Sequence, residues 1–299
     1  MTDENVLLGH IIATNPHAVA AWFDQRTSPP TLHIALNHAE PLPELKIPAE
    51  IAALPLIIQK TGPLNTLITL ATDEEPSNIH QICQNEPVSL GTQIQPAGAP
   101  WLGTAGSPMK WLDAGGEPHW GILSNWHVMA DGGEQIGRPI HQPTATQPAI
   151  AKLAAWCGPK PDQANQCDAA IADAKIGDFH TIAPNLLGIG PIGSGELPAS
   201  VGLAVIKSGR TTAVTRGRCS AVGAAVRVGY GDFTAAFIDQ DLFTPVNGPF
   251  SAAGDSGSLI VDQLEHRPCS LLFAGSSELT VGNPMRHVVE ALNLVFPFP

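Results

Sequence analysis

The chain has 299 residues, 43% of them hydrophobic, which is enough to build a sizeable core in one or two domains. A net charge of −12 opposes non-specific binding to nucleic acid or an anionic membrane, because phosphates are repelled over most of such a surface. No apolar run approaches the roughly 20 residues that span a bilayer, and the opening Met1 to Asn5 is acidic where a secretory signal is basic, so the chain reads as cytoplasmic.

Plentiful Gly (29) and Pro (28) with only 5% aromatic residues suit many short strands joined by turns, so a mainly β fold is expected. Residues 1–85 read as a small α+β domain and linker. They open on an apolar-periodic stretch (Val6, Leu7, Ile11), followed by strand-like runs Ala18 to Phe23 and Leu32 to Leu36 across the turn Arg26 to Pro30. A short helix is expected over Ile47 to Ala53 with Pro48 near its start, then a strand from Leu54 to Gln59. The charged, unperiodic stretch Thr72 to Asn78 reads as the linker.

Beyond it, Trp101 to Trp111 and Trp120 to Ser124 flank Asp113 to Pro118, a hairpin whose second strand leads to His127. Asp168 opens another short apolar strand, and Gly177 to Ser200, rich in Gly and Pro, reads as a crossing to a second set of strands that resumes near Val201. Gly254-Asp255-Ser256-Gly257-Ser258 then bends the backbone directly before Leu259 to Val261, which pairs with Cys269 to Ala274 in a second hairpin. The chain closes on a helix over 284–294: Asn283 can cap it, Pro284 fits its first position, and Met285, Val288, Val289 and Leu292 share one face.

Two glycines holding one serine at a tight bend is how a nucleophilic hydroxyl is presented. A lone serine is a poor nucleophile and needs a base and a group that orients the base. His127 and Asp168 supply both, in the chain order His, Asp, Ser; Asp162 and Asp173 are the rival aspartates, one in a Pro/Gln-rich loop before the apolar run and one after it. That order excludes the subtilisin and α/β-hydrolase arrangements.

The segments Leu123-Ser-Asn-Trp-His127-Val, Asp168-Ala-Ala-Ile and Gly254-Asp-Ser-Gly257 resemble the trypsin-like (chymotrypsin-fold) serine peptidases, above all their disulfide-poor intracellular bacterial and plant branch, which includes the plant narrow-leaf type. Val205 to Gly217 is similar to the strand that opens the second barrel there, and the resemblance covers roughly residues 86–299. It implies two six-stranded β-barrels, about 86–176 and about 200–283, followed by the helix. It also implies an endopeptidase acting on protein or peptide substrates: Ser256 attacks, His127 moves the proton, and Asp168 orients the imidazole. The N–H groups of Gly254 and Ser256 would form the oxyanion hole. Phe250 would floor the primary pocket, where an aspartate would select Lys or Arg, and Phe273, Ala274 and Gly275 would pair with substrate as an added strand.

Three departures accompany the resemblance. The serine that commonly supports the catalytic aspartate is replaced by the Leu272–Phe273 region. No basic cleavage site precedes Val88 to Gly91, so Asp255 is not expected to await a freed N-terminal amine. The five cysteines (Cys83, Cys157, Cys167, Cys219, Cys269) include no Cys-x-x-Cys pair and predict free, mostly buried thiols, with Cys157 and Cys167 as the pair that could bridge the loop before Asp168. Eleven histidines make no completed ligand set, since His33 with His38 and His80 with Cys83 stand alone, so neither a metal nor a cofactor is expected. Lys207, Arg210, Arg216, Arg218 and Arg227 read as a solvated strand face. A regulatory or scaffold protein on a peptidase fold is the rival reading, and a homo-oligomer is left open.

Overall fold

In the computed structural model the described residues are 3–37, 44–72, 75–82, 87–131, 135–174 and 182–296. His38 and Cys83, residues 73–74 of the expected linker and residues 177–181 of the expected crossing lie outside them.

Strands dominate, as the Gly and Pro content predicts, and they form two large sheets. The first runs Leu294–Val295, Ser107–Leu112, Pro118–Ser124, Ala169–Asp173, Ala149–Cys157, Pro139–His141, Thr92–Pro96, Trp101–Ala105 and Thr69–Leu70. The hairpin expected at Asp113 to Pro118 forms because Asp113 Oδ1 accepts from the N–H groups of Gly115 (2.8 Å) and Glu117 (2.9 Å), and Gly116 takes φ +81°. The expected single strand Trp101 to Trp111 is two strands that break at Gly106. A Cβ there would sit 2.1 Å from the Gly257 carbonyl oxygen, so the break is where the first sheet touches the serine turn.

The second sheet is built around the long strand Ala213–Gly229, which pairs with Ala204–Gly209 and Thr234–Pro245; Leu259–Asp262, Pro268–Gly275 and Thr280–Pro284 complete it. The N-terminal elements extend this same sheet. Ala18–Asp24 pairs with Ala213–Gly229 (Ala20 opposite Val226), and Thr31–Asn37 and Leu56–Thr61 follow. The helix Asp3–Thr14 covers them, burying Leu8, Ile11 and Ile12 with Ala225 and Ile238. Residues 49–53 are turns rather than the expected helix: Ile51 N–H bonds Pro48 O and Leu54 N–H bonds Ile51 O. Pro55 pushes the residue before it out of the helical region, so these turns do not continue into a helix.

The C-terminal helix covers Met285–Leu292, with Asn293 left-handed at its end. Asn283 does not cap it, because its side chain is committed elsewhere, and the N-cap position is held by Pro284 without a side-chain bond. Cys157, Cys167, Cys219 and Cys269 are free thiols. Burial pushes Cys219 up to about 12 and Cys269 in the same direction, which makes both poor nucleophiles. Among the described residues no helix is long and apolar enough to cross a membrane.

Candidate active site

His127 stands in the one-turn helix Trp126–Met129, directly after the strand Pro118–Ser124, and Asp168 directly precedes the strand Ala169–Asp173. These strands are neighbours in register, with Ser124 opposite Ala170, so their ends bring the two side chains together. His127 Nδ1 lies 2.6 Å from Asp168 Oδ2, and both side chains are buried. Asp168 is anchored on all sides. Its carbonyl accepts from Asn125 (2.8 Å) and Asn283 (3.1 Å), its N–H donates to Asn283 Oδ1 (3.2 Å), and Tyr230 O–H donates to Oδ2 at 2.6 Å. Burial, reinforced by the Asp168 charge, pushes the Tyr230 phenol well above its usual range, so it stays a neutral donor.

Ser256 sits between Gly254 (φ +102°) and Gly257 (φ +93°), a left-handed backbone that favours glycine. A Cβ at Gly257 would meet Ser124 Oγ at 2.1 Å, so the first sheet seals that side of the turn. The strand Trp101–Ala105 fastens it further: Thr104 N–H bonds Ser256 O (2.9 Å), and Thr104 Oγ1 donates to Gly254 O (2.8 Å). The N–H groups of Gly254 and Ser256 converge on one atom, the carbonyl oxygen of Leu67, at 2.5 and 3.2 Å. Ser256 Oγ accepts from Leu67 N–H (3.0 Å) and donates to Phe273 O (3.2 Å). His127 Nε2 is buried without a hydrogen-bond partner, so the structure joins His127 to Asp168 but makes no bond from Ser256 to His127.

Around that carbonyl, Leu67 shares a buried apolar cluster with Val205, Cys219, Phe243, Phe250, Ile260 and Leu272. The Phe273 ring turns away to pack on Phe237 at 4.8 Å, leaving its carbonyl to the serine. Ala274 and Gly275 pair antiparallel with Thr66 and Asn65 of the chain's own segment.

Solved structures share the fold. Thermobifida fusca Protease A matches with a TM-score of 0.53 at 16% identity, over 71% of this chain and 99% of its own. Cellulomonas bogoriensis chymotrypsin matches at 0.51 and 18%, over 71% and 99%, and a glutamic acid-specific serine protease at 0.51 and 20%, over 70% and 100%. The chain has the chymotrypsin fold. No protein-family model and no curated protein matches the sequence.

In the chymotrypsin fold of this chain, His127 and Asp168 come from the first sheet and Ser256 from the second. Sequence reasoning missed Tyr230. It is the chain's single tyrosine, set between Gly229 and Gly231 at a strand turn, and it supplies a donor to Asp168 that the Leu272–Phe273 region lacks. The basic cluster is not one solvated face. Lys207 is fully buried and its Nζ lies 3.2 Å from Asp255 Oδ2, whose carboxylate also accepts from Thr211, Thr212 and Ala252 N–H groups. Burial lowers the Lys207 pKa, and Asp255 pulls against that shift. Arg227 turns to the Ile12 carbonyl and Arg210 Nε to Gln93 (2.8 Å); only Arg216 and Arg218 of the five are exposed. The apolar strand pattern hides this, because a buried lysine among Val205, Ile206 and Ser208 has no local signature.

Proposed function

We propose that the protein is a serine endopeptidase that cleaves protein or peptide substrates through Ser256, His127 and Asp168. The observation that carries the reading is the convergence of two backbone N–H groups on a carbonyl oxygen beside the Ser256 hydroxyl. Such a pair of donors is what a developing oxyanion requires.

Ser256 Oγ turns from Phe273 O toward His127 Nε2, gives up its proton there and attacks the substrate carbonyl carbon. The oxygen takes negative charge against Gly254 and Ser256 N–H. His127 then passes the proton to the leaving amine, and water releases the acyl group from Ser256 by the same steps in reverse. Asp168, with Tyr230 donating to it, holds the imidazole tautomer and balances the imidazolium. Phe250, buried in one apolar cluster with Leu67, would floor the primary pocket, and Phe273 to Gly275 would form the edge that receives an extended peptide. The free thiols suit a reducing compartment such as the cytoplasm.

A fluorophosphonate tests this, read by intact mass. A single adduct is expected, absent in Ser256→Ala and formed at least about 100-fold more slowly in His127→Ala. An adduct forming equally fast without His127 would sink the reading. One observation favours a second reading, a scaffold without turnover: the site is filled by the chain itself and the serine does not bond the histidine. Absence of an adduct from both wild type and Leu67→Asp, whose buried charge would expel that segment, would select the scaffold.

A further inference from the structure

Residues 64–71 run from the second sheet to the first, pairing with each in turn. On the second sheet, Asn65–Thr66 pairs antiparallel with Ala274 and Gly275, and Leu64 O accepts from Gly229 N–H at 2.9 Å. On the first, Thr69–Leu70 pairs antiparallel with Leu102 and Trp101, and Ala71 N–H bonds Pro100 O at 2.7 Å. Between the two runs lies the Leu67–Ile68 peptide bond, its carbonyl oxygen held by Gly254 and Ser256 N–H, while the Leu67 N–H donates to the Ser256 hydroxyl at 3.0 Å. Side chains anchor the segment at three points. Leu64 is buried with Phe273 and Leu279, Leu67 is buried with Phe250 and Phe243, and Ile68 packs against the core of the first sheet. Gly275 admits Leu67: a Cβ there would lie 3.3 Å from Leu67 Cδ1 and 2.8 Å from Leu279 O.

We propose that the protein's first substrate is its own Leu67–Ile68 bond, cut within one molecule, and that Leu67 reports the preference for an aliphatic residue before the scissile bond. The proposal rests on the serine-peptidase reading. Ser256 Oγ bonds to the Leu67 carbonyl carbon, the carbon–nitrogen bond to Ile68 breaks, and the serine proton reaches the Ile68 nitrogen through His127. One water then splits the ester, leaving a carboxylate on Leu67 and restoring the Ser256 hydroxyl. Tethering makes the step unimolecular and independent of protein concentration. The Met1–Leu67 piece stays in place, because Ala18–Asp24 and its neighbours remain paired in the second sheet, so the cut is seen only under denaturing conditions.

The test compares full-length wild type, Ser256→Ala, Leu67→Asp and Leu67→Met by denaturing mass spectrometry during refolding. Wild type is expected to give two chains that part between Leu67 and Ile68, at a rate unchanged over a roughly 100-fold range of concentration. Ser256→Ala stays whole. Leu67→Met, which keeps the pocket apolar, is cut within about tenfold of the wild-type rate. Leu67→Asp is cut at least about 100-fold more slowly, because a carboxylate must be desolvated, yet it reacts faster with a fluorophosphonate than Ser256 of the uncut wild type does. Wild type that stays whole while Ser256 of Leu67→Asp takes the fluorophosphonate would overturn the self-cleavage and leave the peptidase reading standing. A cut that persists in Ser256→Ala would also overturn it. No cut and no adduct in any of the four proteins would overturn both.

Discussion

Asp168 gathers the polar contacts that hold His127 in the site. Its buried carboxylate faces His127 Nδ1 and the Tyr230 hydroxyl at 2.6 Å each. Tyr230→Phe leaves that carboxylate one charge-assisted donor short and costs about 1.5–3 kcal/mol of stability, measurable by urea unfolding. Asp241 is a second buried carboxylate, bonded by Ser270 Oγ at 2.6 Å. Burial raises its pKa from 3.8 to about 7. Between those two values the folded state holds a proton that the unfolded state has released, so stability falls as pH rises from about 4 to about 7 and is level above. Asp241→Asn removes that slope. The variant is expected to melt higher than wild type at pH 8, by an amount on the order of 4 kcal/mol at most, with the advantage gone near pH 4. Equal melting at both pH values would show that Asp241 titrates normally.

Among the elements, those with their own periodicity or turn chemistry were legible in the sequence. The hairpin at Asp113, the hairpin after the serine and the C-terminal helix all carry such signals. The expected helix at 47–53 was not, because Pro48 and Pro55 leave room for turns only. The short strands Asn65–Thr66 and Thr69–Leu70 had no signal at all, since two residues have no periodicity and their extension is imposed by the edges they meet. Where elements touch, glycine decides. Gly106→Ala puts a methyl 2.1 Å from Gly257 O, a backbone atom beside the serine turn that has no rotamer to relieve the clash. It is expected to lower stability by about 1–3 kcal/mol and to slow fluorophosphonate labelling of Ser256. Unchanged values for both would show that the two sheets can part here freely.

At the scale of the molecule, the N-terminal residues share a sheet with the part that carries Ser256. Leu8, Ile11, Ile12, Leu32, Ile34 and Leu36 bury one face of Ala225 and Ile238. A chain starting at Gly62 would expose that face and the pairing edge of Ala213–Gly229, an invitation to edge-to-edge association. Aggregation of this truncated chain is expected on size-exclusion chromatography, with recovery when residues 1–61 are supplied as a separate peptide. A monomeric truncation with the full-length melting temperature would show that the second sheet needs no cover.

By itself the sequence determined a mainly β chain, the order His127, Asp168, Ser256, and the two glycines that give the serine turn its left-handed backbone. These are local properties: composition, short-range pattern and the conformations open to single residues. Only the tertiary structure decided that Tyr230 donates to Asp168, that Lys207 is the buried partner of Asp255, that Asn283 serves Asp168 rather than a helix end, and that Leu67 lies against the serine. Each of these joins residues far apart in the chain. Such contacts are selected by the desolvation cost of leaving a buried charge or donor unpaired, and that cost exists only once the sheets have closed around it.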